Sequence, residues 1–188
     1  MLWILVAALW VAPIAASQPS AAQGHKHGQE EYRSGASAAT ASPYAGMQKR
    51  AVKALSEKQI EDLKGGRGMG LALAAELNGY PGPMHVLEFG EALDLSLAQR
   101  SRAEELMAWM KAETVTIGER IIVSETALDL LFAEKRVTPA SLEGAVVQIG
   151  AMQAELRAAH LRYHLLVAQI LSAAQIAKYS VLRGYTYR

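Results

Sequence analysis

Between Leu97 and Arg136 the chain runs 40 residues without a proline and with a single glycine, Gly118. Apolar or small residues recur along it at Ala103, Met107, Met110, Thr114, Ile117, Ile121, Ser124, Leu128 and Leu131. Steps alternating between three and four mark one face of a long α-helix, about 60 Å long at ~1.5 Å per residue. Thr138-Pro139 then offers an N-cap and a first-turn proline for a second helix. Its apolar face repeats at Leu142, Val146, Ile149, Gln153, Leu156, His160, Tyr163, Val167 and Ile170. Two helices joined by Val137-Thr138 must fold back on each other as an antiparallel hairpin. No segment shows the period-two alternation of a strand. The expected fold is all-α: a long helical hairpin with shorter flanking helices.

A short pattern occurs three times, at Leu55-Ser56-Glu57-Lys58-Gln59, Leu95-Ser96-Leu97-Ala98-Gln99 and Leu171-Ser172-Ala173-Ala174-Gln175. Its physical content is a capping box: the Ser hydroxyl accepts from the N3 amide, and the Gln side chain accepts from the N-cap amide. Each box predicts a helix start and is worth about 1 kcal/mol. Gly65-Gly66 stops the first of these helices. From Gly65 to Pro83 a glycine- and proline-rich loop encloses the apolar stretch Leu71 to Leu77, room for two helical turns. Gly66-Arg67-Gly68-Met69-Gly70 lacks the preceding strand and the Gly-Lys-Ser/Thr of a phosphate loop.

The amino-terminal part has another character. Leu2 to Ala16 is an uncharged apolar run, too short for the roughly 20 residues of an untilted membrane helix. Small residues follow at Ala15-Ala16-Ser17 and Ser20-Ala21-Ala22, the layout of a secretory signal peptide. No Lys or Arg precedes the run, so an N-terminal membrane anchor is the alternative. The expected organisation is a signal peptide over 1–22, a flexible Ala/Ser/Gly/Gln-rich linker over 23–43, and a helical domain over 44–188. The body of the protein is expected outside the cytoplasm, in the periplasm.

The chain contains no cysteine, which removes disulfides, Cys-ligated zinc, iron–sulfur clusters and thiol catalysis together. Nineteen basic residues nearly cancel eighteen acidic ones, which argues against a nucleic-acid partner. No nucleophile elbow or His-Glu-x-x-His motif is present, and Glu104 and Glu105 point to different helix faces. Enzymatic activity is not expected.

The Leu-Ser-x-x-Gln boxes sit before the first long helix and after the second. In this placement they resemble the Leu-Thr-x-x-Gln motif of the Spy/CpxP family of periplasmic chaperone-like proteins and related periplasmic heavy-metal sensors. Ser here stands for the usual Thr, and either hydroxyl can cap. His160-Leu161-Arg162-Tyr163-His164 and the stretch Tyr179 to Tyr185 look like the carboxy-terminal half of the metal-sensor members. Asn78-Gly79-Tyr80-Pro81-Gly82-Pro83 also looks like that subgroup. The resemblance spans roughly residues 44–187. It implies a homodimer of interlocked hairpins, stress-related binding of unfolded clients without ATP or of a membrane-bound signalling partner, and metal binding through His, Glu and Met. An envelope interaction module with no metal site is the alternative function.

His160 and His164, four apart on one helix, have a spacing that chelates a transition metal such as Zn, Cu, Ni or Co. His85 with Glu88, at i and i+3 if Pro83 starts a helix, are the candidate completing ligands, or else Met and Glu residues of the facing helix. The alternative is a pair of seam histidines satisfied by Tyr163, Gln153 or a facing carboxylate, because a buried imidazole needs partners. His25 and His27 form a second cluster; cleavage after Ala22 would place His25 third, as in square-planar Cu(II) or Ni(II) chelates. The methionines Met47, Met69, Met84, Met107, Met110 and Met152 are candidates for an adaptable client surface or for simple core packing. Trp109 lies off the seam, where exposure would favour a binding surface.

Overall fold

The long proline-free stretch is one helix, α4, spanning Leu97–Ala133, and it turns back through residues 134–138 into α5, Pro139–Ile170. The computed structural model describes residues 42–185. The signal peptide expected over 1–22, and the linker expected over 23–43 except for its last two residues, lie outside the described residues. After a single turn at Met47–Lys49 come α1 (Glu57–Lys64), α2 (Leu73–Glu76) and α3 (Pro83–Glu88); α6 (Ala173–Leu182) follows α5. All described elements are helical, and α4 and α5 pack together antiparallel along the hairpin. Among the described residues no helix is long and apolar enough to cross a membrane.

Each Leu-Ser-x-x-Gln box caps a helix: Ser56, Ser96 and Ser172 accept from the amides of Gln59, Gln99 and Gln175. Two of the glutamines do more than cap. Gln99 donates to the carbonyl of Ile170 (2.8 Å) and to Gln175 Oε1 (2.9 Å), while Gln175 donates to Leu93 O (3.2 Å) and to Gln99 Oε1 (3.1 Å). A reciprocal amide pair therefore clasps the start of α4 to the start of α6, and the bond to Ile170 ties the same side chain to the end of α5. The long helices are further tied by Arg120–Glu155, Arg162–Glu113 and a hydrogen bond from Tyr163 to Glu113.

The core divides in two. Val52, Leu55 and Leu63 pack on Ile117, Ile121, Ile149, Met152 and Leu156, while Val86, Leu93, Leu106 and Met110 pack on Tyr163, Val167 and Tyr179. Gly118 has a specific task. A Cβ there would lie 2.5 Å from the carbonyl oxygen of Leu63, so the only glycine of α4 lets the end of α1 cross at backbone contact.

The seam differs from the expected one at four places. Leu106 is fully buried and Met107 only partly; Met152 is buried and Gln153 exposed; Leu142 and Val146 are exposed. Steps of three and four both keep a residue on a face of period 3.6, so the neighbours decide which one turns inward. Leu106 meets Val86 and Leu93, whereas Leu142 and Val146 lie beyond Ile149, where the buried clusters end.

Candidate metal centre

The polar residues at the junction of the two cores define the site. Thr114 on α4 and His160 on α5 are both buried there, His160 with 2% exposure. Thr114 is satisfied locally, donating to the carbonyl of Met110 at 2.7 Å. His160 is not: its Nε2 is buried without a hydrogen-bond partner among the described residues. Neither Tyr163, which donates to Glu113, nor exposed Gln153, nor any carboxylate partners it. Burial, and secondarily the neighbouring His164, hold the His160 pKa below the usual histidine range. The ring is therefore neutral at pH 7, with lone-pair chemistry available.

His164 stands one turn further along. Its Nδ1 lies 2.7 Å from the carbonyl oxygen of Tyr80, a contact only an N–H can make, so in the neutral ring Nε2 is the nitrogen with the lone pair. A carbonyl holding the far nitrogen of a ring is the arrangement that orients metal-ligating histidines. Gly82 accommodates the ring: a Cβ there would come within 2.9 Å of His164 Nε2.

Glu76 faces these rings from α2. Its Oε1 accepts from Tyr179 Oη (2.6 Å), Tyr185 Oη (3.0 Å) and Arg183 Nε (3.2 Å). Its Oε2, 3.8 Å from His164 Nδ1, is buried without a hydrogen-bond partner among the described residues. Burial, then the Glu76 carboxylate, push the Tyr179 hydroxyl far above the usual phenol range, so it remains a donor. The unpartnered nitrogen and the unpartnered oxygen thus belong to residues lining one cavity of about 550 Å³. Its walls also include the 65–70 loop, His85, Met69, Met84, Met107 and Met110.

Of the four candidate ligands, the structure places His160, His164 and His85 around this cavity. Glu88 is not in its wall; it lies 2.7 Å from His85 Nδ1 and pairs with that ring instead. Among the described residues no group of three His, Asp or Glu is placed to hold one metal ion. No known protein family, curated protein or solved structure matches the chain. Arg67 in the glycine-rich loop is occupied by Asp62 at 2.6 Å, which leaves the 66–70 segment as a wall of the cavity. Hydrogen bonding to Lys58 and the charges of Lys58 and Arg67 hold the Asp62 carboxyl below its usual range.

The sequence reading missed Glu76 and the tyrosines that hold it. One signal was present: Glu76 is the only charged residue between Leu71 and Leu77, and a lone carboxylate in an apolar stretch requires partners if that stretch packs inward. His25 and His27 lie outside the described residues. Trp109 is 48% exposed, with the Arg102 guanidinium 4.9 Å from its ring centroid.

Proposed function

We propose that this protein is an extracytoplasmic, non-enzymatic metal-responsive module related to the Spy/CpxP-like sensors. It binds a transition metal between α5 and the loops that close its base. The observation that carries this reading is the buried neutral imidazole of His160 with an unpartnered Nε2. Leaving such a group unsatisfied costs roughly 1–3 kcal/mol, and a ligand in the adjoining cavity offsets that cost. His164, oriented by Tyr80 with its Nε2 free, is the second ligand; Glu76 supplies an oxygen beside them. Through Tyr179, Arg183 and Tyr185, the same carboxylate links the site to α6 and the chain beyond it.

Titration calorimetry with Zn(II), Cu(II), Ni(II) and Co(II) tests this in a His25→Ala/His27→Ala background, which silences the linker. Saturable binding that disappears in His160→Ala/His164→Ala is expected, and it should weaken in acid as protons compete with the metal for the ligand nitrogens. Binding unaffected by the double substitution would overturn the reading.

A second function, holding an unfolded client or a second copy of the chain, is favoured by the far end of the hairpin. Leu130, Phe132, Leu142, Val146 and Val147 are exposed there, as is Val123 further down α4. Apolar side chains clustered in this way mark a surface that meets a partner. Aggregation suppression that survives chelation and the double His substitution is the expected sign of this activity.

A further inference from the structure

We infer that the cavity selects a soft monovalent d10 ion, Cu(I), held by the imidazoles of His160 and His164 together with thioethers of Met69 and Met84 at its rim. The inference rests on the metal-binding reading of this site and adds the class of ion. Three observations lead to it.

The first is the shortage of hard donors. A divalent cation such as Zn(II) takes about four N, O or thiolate ligands, and among the described residues no three His, Asp or Glu converge. Glu88 is turned to His85, and one oxygen of Glu76 already accepts three hydrogen bonds, so among the described residues lining the cavity the other Glu76 oxygen is the single free carboxylate donor. The chain has no cysteine with which to make up the number. An ion content with few neutral ligands fits this supply better.

The second is the methionines. Four of the six described methionines line this one cavity. Met107 and Met110 also pack in the core, but Met69 and Met84 are exposed at 40% and 46% and have no such duty. A thioether is a neutral soft donor, which suits Cu(I).

The third is the backbone at Met69. This residue has φ +44°, in the left-handed region that residues with a side chain rarely adopt, while glycines stand on both sides of it. Strain kept at a methionine in a glycine-rich loop places a sulfur-bearing side chain at the mouth of the cavity.

The test uses the full chain in the His25→Ala/His27→Ala background. Ag(I) serves as the redox-inert probe in calorimetry, Cu(I) is measured anaerobically by competition with a chromophoric chelator, and Zn(II) is titrated in parallel. Met69→Leu/Met84→Leu alters the rim and leaves the core methionines in place. Ag(I) and Cu(I) are expected to bind at least about 100-fold more tightly than Zn(II), and the rim variant to weaken them about tenfold or more while Zn(II) changes less than about twofold. Zn(II) binding as tight as Ag(I), lost in His160→Ala/His164→Ala and indifferent to the rim variant, would overturn the soft-ion inference and leave the metal centre standing. No binding of any of these ions would overturn both.

Discussion

The two ends of the hairpin are built from the same pair of helices and meet opposite fates. At the base, α1, α3 and the start of α6 close over α4 and α5, burying Leu106, Val167 and Tyr179 together with the polar residues Thr114, His160 and Glu76. At the far end, Leu130, Phe132, Val146 and Val147 stand exposed, Val147 at 67%. Both ends carry large apolar side chains, so their presence alone does not decide which end closes. What differs is the presence of short capped helices to cover the seam. A closed base makes an unsatisfied polar atom costly and therefore informative, whereas an open end makes apolar surface available to a partner.

This contrast breaks most readily at the helix crossing. Gly118→Ala forces a methyl into the Leu63 carbonyl and should destabilise the protein by about 3 kcal/mol, read as a lower urea midpoint. Glu76→Ala comes next. It strips the acceptor from two tyrosine hydroxyls and from Arg183, for an expected loss of about 2 kcal/mol by the same measurement.

Acid should act on the base through His160. The unfolded ring takes up its proton near pH 6.5, while the folded ring resists it because its pKa is lowered. Its contribution is thus fully present above about pH 6.5 and is lost as pH falls through the depressed folded value. Urea midpoints followed from pH 7.5 downward should show that decline, and His160→Gln should flatten it. At the open end the effect on stability is smallest. Val146→Lys/Val147→Lys should alter unfolding by less than about 0.5 kcal/mol yet abolish self-association or client capture in sedimentation and aggregation assays. A large loss of stability there would show that the far end is not open in solution.

Much of the scaffold was legible because its signals are local. The proline-free run from Leu97, Thr138-Pro139 and three Ser-x-x-Gln boxes each act within a few residues, and each marks a helix start or span that the structure contains. The site was legible only in part. The spacing of His160 and His164 places them on one turn of a helix, and the structure sets both at one cavity. Glu76 stands 84 residues before His160 and 88 before His164 and reaches them only through the fold of the glycine-rich loop, and the Gln99–Gln175 clasp likewise joins distant boxes. Whether Leu106 or Met107 turns inward depended on α3, which no periodicity in α4 can report.

The central claim is that His160 and His164 form a ligand site rather than a satisfied core pair. Side-chain 15N NMR of the imidazoles during addition of Ag(I) or Zn(II) tests it directly. The account predicts that ring nitrogens of His160 and His164 shift together and saturate at about one equivalent of the bound ion. Rings of His160 and His164 that stay unmoved while only His25 and His27 respond would contradict it.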